Sequence, residues 1–203
     1  MVAAMTLHVP DRLRLPFTFD PDLLARDLHS LAAADWIAHF VQQNYDGDWS
    51  VIPLRGQAGA RHPVMMIYPS PDATAFEDTP FLDRCPYFRE VLATFPCPLQ
   101  GARLMRLTPG SHIKEHTDFE LSLEEGTVRI HIPVTTNPNV EFYLNGSRIV
   151  LEAGSAWYLR LSDPHRAANN GDSDRVHMVI DATVNNWMKS VLETAAGEAC
   201  RSS

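Results

Sequence analysis

Cysteine is scarce in this sequence, and long apolar runs are missing from it. The three cysteines, Cys85, Cys97 and Cys200, form no Cys-x-x-Cys pair, which argues against a disulfide framework and a thiolate zinc site. No apolar run approaches the roughly 18–20 residues that a membrane span needs. The opening segment 1–16 lacks the basic and apolar regions of a signal peptide. We therefore expect a cytoplasmic protein without a membrane partner.

Basic residues are also few. The chain has 17 Lys and Arg against 25 Asp and Glu, a net charge of −8, and its basic residues form no cluster. This balance lacks the electrostatic footprint of nucleic-acid binding. With 45% hydrophobic and 21% charged residues, the composition is that of a folded domain. The 203 residues suit a single domain over 1–203, and the sequence indicates no oligomeric state.

The first half of the sequence predicts mainly helices. Asp20 and Pro21 are a typical helix start, and apolar residues recur behind them and in two later segments at helical spacing. A strand is expected over 49–54, and another at 64–68 within the irregular connection 56–80. The three apolar stripes are Leu23/Leu24/Leu28/Leu31, Trp36/Ile37/Phe40/Val41 and Phe88/Val91/Leu92/Phe95.

The second half predicts short strands separated by regular turns. Asn145-Gly146 is a strong hairpin signal, and an amphipathic stretch at 187–192 predicts a closing helix. This pattern is typical of a mainly β sandwich or jelly-roll barrel packed against helices. We expect helical support and the first strands at 1–100, the jelly-roll core at 101–182, and a helix and tail at 183–203. The predicted strands are 103–108, 127–135, 140–144, 147–152, 155–161 and 175–181.

A candidate metal site lies in the strand-rich half. His116 and Asp118 stand two residues apart, so an extended segment presents both on one face. His165, just after a predicted strand, is the best third ligand. Two imidazoles and one carboxylate suit Fe(II) and leave positions open for a bidentate cosubstrate and dioxygen. A surface His-x-Asp pair is the simpler alternative.

Two predicted strands carry cations opposite an apolar face. Arg175 and His177 alternate with apolar residues, and Arg129 and His131 do the same. An arginine facing a barrel interior is costly unless a carboxylate meets it, and a guanidinium binds a carboxylate in bidentate fashion. We therefore expect Arg175 to bind the distal carboxylate of 2-oxoglutarate. Arg129 could alternatively be a solvated residue of an edge strand.

Three segments resemble the aspartyl/asparaginyl β-hydroxylase family of iron and 2-oxoglutarate dioxygenases, in its bacterial branch. They are RLTPGSHIKEHTD, VRIHIPVTTNPNVEFYLNG and WYLRLSDPHRAANNGDSDRVHMVID. The resemblance implies a double-stranded β-helix (a jelly-roll, cupin-like core) with flanking N-terminal and C-terminal helices. It also implies Fe(II), 2-oxoglutarate and O2 as cofactors. The residues that it assigns to the site are His116, Asp118 and His165 on iron, Arg175 on the cosubstrate, and Arg129, His131 and Trp49 near it.

Two positions depart from the family pattern. Asp118 is present, whereas the animal enzymes of the family lack this carboxylate, so the ligand triad is complete here. Met105 stands where those enzymes have a serine that contacts the cosubstrate. The resemblance thus implies the bacterial type of centre, and it leaves open how the distal carboxylate site is completed.

The functional hypothesis is a 2-oxoglutarate-dependent hydroxylase that releases succinate and CO2. Its substrate would be a free amino acid or an Asp/Asn-like side chain of a peptide or protein, with Arg106 and Arg129 as candidates for the substrate carboxylate. A non-catalytic jelly-roll module that binds a metal or a small acid is the alternative, and a zinc hydrolase on the same ligands is a third. His112 and His177 are interpreted as hydrogen-bonded supporting residues.

Overall fold

The computed structural model describes residues 9–68, 70 and 72–202. Within these residues, thirteen strands form two sheets in which all neighbouring strands are antiparallel. The strands are β1 (Arg12–Thr18), β2 (Ile37–Ala38), β3 (Tyr45–Asp46), β4 (Trp49–Gln57), β5 (Phe76–Asp78), β6 (Leu99–Leu107), β7 (His112–His116), β8 (Thr127–Thr135), β9 (Val140–Leu144), β10 (Ser147–Ile149), β11 (Ser155–Leu159), β12 (His165–Asn169) and β13 (Arg175–Thr183). The α-helices are α1 (Pro21–His29), α2 (Pro63–Ile67), α3 (Pro86–Ala93) and α4 (Asn186–Ser202).

The two sheets pack face to face. The larger follows the order β1-β11-β8-β13-β6-β4-β2, with β5 paired to β4, and the smaller the order β10-β9-β12-β7-β3. Val51, Met105 and Val179 of the larger sheet share a buried apolar cluster with Ile113 and Phe142 of the smaller. The space between the sheets is therefore one core layer, as in a jelly roll.

Alternation along the central strands separates an outer face from an inner one. On β13, Val176, Met178 and Ile180 join the apolar cluster that the helices cover, whereas Arg175 and His177 are buried outside that cluster. On β8 the apolar residues Val128, Ile130, Ile132 and Val134 do the same. Because successive strand side chains point to opposite faces, the polar residues between them point toward the smaller sheet.

The hairpin predicted at Asn145-Gly146 connects β9 and β10. Ser147 pairs with Leu144, so the turn consists of Asn145 and Gly146 alone. Asn145 has a φ of 50° and Gly146 a φ of 71°. Positive φ at both central residues is what a two-residue turn of this twist requires. The hairpin prediction is confirmed.

Helices α1, α3 and α4 cover the outer face of the larger sheet. Asp20 caps α1 by accepting hydrogen bonds from the backbone N–H groups of Asp22 and Leu23, so the predicted helix start is confirmed. The buried carboxylate of Asp27 accepts the backbone N–H of Phe88 at 2.9 Å, which ties α1 to α3. Leu24, Phe88 and Met188 each bring one helix (α1, α3 and α4) into the same core cluster.

Two predictions in the first half are wrong. The apolar stripe of Trp36 to Val41 is not a helix, because strand β2 lies within it and short 3₁₀ turns flank it at Ala33–Asp35 and Gln42–Asn44. The segment 64–68, expected as a strand, lies mostly in α2, which Pro63 begins. Short apolar runs fit either period, and tertiary contacts decide between them.

The first hundred residues also contribute to the sheets. β1 forms an edge of the larger sheet and pairs with β11, and β4 pairs with β6. The hydrophobic pattern of the sequence does not predict strands β1, β7 and β12, although β7 and β12 position candidate metal ligands.

None of the helices in the described part of the chain combines the length and the hydropathy that crossing a bilayer requires.

Truncating Phe88 tests the helix-covered core. Phe88 is fully buried, so Phe88→Ala is expected to lower the free energy of unfolding by about 3–5 kcal/mol through lost burial and a cavity. Chemical denaturation measures this loss. The matched control is Val150→Ala, at a side chain that is 68% exposed, which should stay within about 0.5 kcal/mol of the parent. Equal losses in both variants would contradict the core assignment.

Candidate metal centre and active site

The structure brings His116, Asp118 and His165 together at one end of the space between the sheets. His116 ends β7 and His165 begins β12, and the two are direct partners in the ladder between these strands. Asp118 follows β7, where its backbone N–H bonds the carbonyl of Leu161 at 2.8 Å. One potential ligand atom from each residue lies within 4.8 Å of the others. The arrangement suits a single metal ion.

Hydrogen bonds orient both imidazoles for metal binding. Nδ1 of His116 lies 2.8 Å from the carbonyl oxygen of Lys114, and Nδ1 of His165 lies 3.0 Å from that of Asp163. A carbonyl only accepts, so both Nδ1 atoms carry the proton and both Nε2 atoms present a lone pair. Burial lowers the pKa of His165 to about 4, which keeps it neutral at pH 7. Neutral imidazole is the form that binds metals.

A chain of buried charges extends from Asp118 into the larger sheet. Arg129 donates from Nη1 to Asp118 and from Nε and Nη2 to both carboxylate oxygens of Asp181, at 2.6 and 2.9 Å. Arg103 donates to the same Asp181 carboxylate at 2.6 Å and to the carbonyl of Ile67 at 3.2 Å. Arg129 therefore lies on the cavity side and not at a solvated edge. It holds the second oxygen of a candidate metal ligand.

Asp181 supplies a shared counter-charge to both arginines of this part of the interior. Burial alone raises the pKa of its carboxyl, but the guanidinium groups of Arg103 and Arg129 outweigh it and hold the pKa below its ordinary value. Asp181 is thus ionised at neutral pH, with three hydrogen bonds from two arginines. Buried charges persist when they are paired and hydrogen-bonded in this way.

Arg175 differs from the other buried arginines. Its side chain is 2% exposed, and no carboxylate of the described residues forms an ion pair with it. Nη2 lies 2.9 Å from Nδ1 of His177, while Nε has no hydrogen-bond partner in the described part of the chain. Burial lowers the pKa of Arg175 to about 9, so it stays protonated at pH 7. An unpaired buried cation at a cavity is a site for an anionic ligand.

Two neutral histidines accompany Arg175. Nδ1 of His131 lies 3.3 Å from Nδ1 of His177, and Nε2 of each ring is buried without a described partner. Burial, and secondly the charge of Arg175, hold the pKa of both imidazoles well below the ordinary value. The interior around Arg175 therefore holds one positive charge and no compensating negative one among the described residues.

Trp49 lies beside the candidate metal ligands. Its indole stacks on the ring of His39, with centroids 3.6 Å apart and planes 10° from parallel, and lies 6.4 Å from the ring of His116. The indole Nε1 is buried without a described hydrogen-bond partner. Burial lowers the pKa of His39 to about 4, so the stack is formed by neutral rings. An unused donor beside the candidate ligands suits a polar ligand group.

All seven residues assigned from the sequence line one cavity of about 300 Å³. Met105 also lines it, as do the half-exposed Phe40 and Tyr68 and the exposed Phe119. The volume is at the lower end of the range of small-molecule sites. The assigned residues are His116, Asp118, His165, Arg175, Arg129, His131 and Trp49.

Other residues lie differently from expectation. Arg106 is outside the cavity lining, because its guanidinium stacks over Trp36 at 4.5 Å and bonds Ser50. His112 is exposed on β7. Sequence reasoning missed Arg103 and Asp181, although the alternation on β6 and β13 contains both, since Arg103 precedes Met105 by two residues and Asp181 follows Val179 by two. His39 lies in the segment 36–41, whose apolar stripe predicted a helix and gave no sign of a residue in the site.

Comparisons with known proteins find two relatives that are named as proline hydroxylases. The chain is 27% identical over 176 residues to L-proline cis-4-hydroxylase of Rhizobium meliloti (strain 1021), a match that covers 86% of this chain and 61% of that protein. It is 25% identical over 184 residues to L-proline cis-3-hydroxylase 1 of Streptomyces sp, covering 87% and 60% respectively. The chain thus spans about three fifths of the length of the curated relatives it matches.

A solved structure shows the same fold. An oxidoreductase of the 2OG-Fe(II) oxygenase family from Burkholderia pseudomallei matches with a TM-score of 0.53 and 15% identity, over 87% of this chain and 86% of that chain. The predicted double-stranded β-helix with flanking helices is confirmed. Fold and site together define a double-stranded β-helix protein with two histidines and a carboxylate facing one cavity. More specifically, the chain belongs to the aspartyl/asparaginyl β-hydroxylase family, whose model matches residues 22–184.

Removing the Asp181 carboxylate tests the buried charge chain. Asp181→Asn is expected to lower the free energy of unfolding by about 3–5 kcal/mol, because two buried guanidinium groups lose a shared counter-charge and Asp118 remains to pair only with Arg129. Chemical denaturation compares it with Asp78→Asn, whose side chain is 36% exposed and pairs with Arg55 and Arg89. That control should lose less than about 1 kcal/mol. A loss for Asp181→Asn no larger than the control's would contradict the role given to Asp181.

Proposed function

We propose that this chain is a 2-oxoglutarate-dependent non-haem iron hydroxylase. The observation that carries the proposal is the unpaired, buried guanidinium of Arg175 in the same cavity as His116, Asp118 and His165. The donor set fits Fe(II), because two Nε2 lone pairs and one carboxylate leave coordination positions free. The guanidinium fits the distal carboxylate of 2-oxoglutarate.

The chemistry divides between the cofactors and the chain. When bound, iron and 2-oxoglutarate would use dioxygen to insert one oxygen atom into a C–H bond, with release of succinate and CO2. His116, Asp118 and His165 would hold the metal, and Arg129 would keep Asp118 oriented through its second carboxylate oxygen. Arg175 would fix the far end of the cosubstrate.

We propose a small amino acid as the substrate. Both curated relatives are named for hydroxylation of L-proline, which favours a proline-like amino acid over the Asp/Asn-like side chain expected from the sequence. A cavity of about 300 Å³ holds a small cosubstrate and a small substrate more easily than a folded peptide segment. Arg103 lines the cavity and replaces Arg106, beside Arg129, as a candidate for the substrate carboxylate.

Succinate release is the direct test of this function. The chain with Fe(II), 2-oxoglutarate and oxygen is expected to release succinate in the presence of L-proline or a related amino acid, and mass spectrometry should show a gain of one oxygen. Asp118→Ala, which removes one ligand, is expected to abolish turnover and weaken metal binding. Metal and 2-oxoglutarate binding with no turnover on any amino acid or short peptide would support the non-catalytic binding module. Hydrolytic turnover without oxygen would support a zinc hydrolase.

Arg175→Met isolates the cosubstrate site. Loss of a charge-assisted hydrogen bond is expected to raise the KM for 2-oxoglutarate by about 10–100-fold, with the affinity for the metal unchanged. Steady-state kinetics measure the first quantity, and titration with Co(II) measures the second. Arg106→Gln, at an arginine outside the cavity, should leave the KM for 2-oxoglutarate at the parent value. An unchanged KM in Arg175→Met would contradict the assignment.

A further inference from the structure

His177 lies directly behind Arg175, and the proposed chemistry gives it no task. It is 1% exposed and stands two residues after Arg175 on the inward face of β13. It is not among the described residues that line the cavity. The described polar side chains that bond its ring are those of Arg175 and His131, both at Nδ1. Its ladder partner on β6 is Met105, whose thioether is a poor hydrogen-bonding group.

The arginine determines the tautomers of both histidines. A guanidinium only donates, so Nδ1 of His177 accepts from Nη2 of Arg175, and the neutral ring carries its proton on Nε2. Nδ1 of His131 lies 3.3 Å from the same atom, where two facing lone pairs would repel, so it carries its own proton and shares the single lone pair of His177 as a second donor. Nε2 of His131 is then a bare acceptor. It is buried, without a described partner, on a residue that lines the cavity.

This arrangement conflicts with a carboxylate in the cavity. An acceptor at Nε2 of His131 repels carboxylate oxygens, whereas a donor there would bind one. The conflict is removed when Arg175 turns its Nη2–H from His177 to the ligand. His177 then carries its proton on Nδ1 and donates to Nδ1 of His131, whose own proton moves to Nε2. Each ring keeps one proton, so the exchange changes no net charge.

We propose that His177 is a positioning residue that couples the binding of a carboxylate at Arg175 to a change of tautomer at His131. In the resting chain His177 holds the guanidinium without neutralising it, because its acceptor is an uncharged nitrogen. In the loaded chain it makes His131 a second donor to the same carboxylate. The inference rests on the proposed function in that the carboxylate is the distal one of 2-oxoglutarate.

Imidazole ¹⁵N NMR reads these tautomers directly. The full chain is loaded with Zn(II), a diamagnetic ion, and spectra are recorded with and without saturating 2-oxoglutarate. Without it, His177 is expected to be protonated at Nε2 and His131 at Nδ1, and with it both assignments are expected to reverse. Tautomers that stay unchanged while 2-oxoglutarate is bound would overturn the coupling alone. Absence of any 2-oxoglutarate binding to the metal-loaded chain would overturn the proposed function and the coupling with it.

Two substitutions at His177 separate positioning from packing. His177→Leu removes the acceptor and is expected to weaken 2-oxoglutarate binding about 10-fold, with kcat at saturating cosubstrate and the Zn(II) affinity unchanged. His177→Asn keeps an amide group near the position of Nδ1 and should restore binding to within about 3-fold of the parent. Calorimetric titration of the Zn(II)-loaded chain measures the affinities, and succinate release gives KM and kcat.

Met178→Leu serves as the matched control on the same strand. Met178 is fully buried on the opposite face of β13, so this volume-conserving change should leave 2-oxoglutarate binding at the parent value. Thermal unfolding of all three variants identifies any that fails to fold. Equal binding by His177→Leu and the parent, or equal weakness of the Asn and Leu variants, would overturn the positioning role.

Discussion

The interior of this barrel depends on the carboxylate of Asp181, which lies between two buried guanidinium groups. Asp181 is the ladder partner of Arg129 on β8, and Arg103 pairs with Val179 two residues earlier. Strand periodicity therefore points all three side chains into the same layer. Without the carboxylate, two cations would face each other in a region that excludes water. Because Arg129 also holds Asp118, the orientation of a candidate metal ligand depends on this ion pair.

At the opposite end of the cavity, the described residues leave a buried arginine without a counter-charge. Around Arg175 the described residues supply two neutral imidazoles and a thioether, and no carboxylate. One pair of arginines is thus neutralised by the chain, and the third is left for an anion. The two ends of the cavity therefore differ, because one has ligand atoms for a cation and the other has a guanidinium group for a carboxylate. A molecule that chelates a metal and carries a distal carboxylate matches both ends.

The sequence predicts the second half better than the first, for physical reasons. On β8 and β13 the alternation spans nine residues each and agrees with burial on both faces, and Asn145-Gly146 needs no distant contact to form its turn. The segment 36–41 has too few residues to establish a period, and its strand exists because it pairs with β4. Arg103 and Asp181 lay within the same alternation, but only the ladder register shows that their charges meet.

A single strand positions both ends of the cavity. Arg175, His177, Val179 and Asp181 occupy successive inward positions of β13, which pairs with β8 on one side and with β6 on the other. A shift of register by one residue would turn all four outward, so hydrogen bonds on both edges fix them together. The distance from Arg175 to Asp181, whose ion pair with Arg129 lies behind Asp118, is therefore set by backbone geometry. A rigid central strand would thereby fix the spacing at which the two ends of one bound molecule are held.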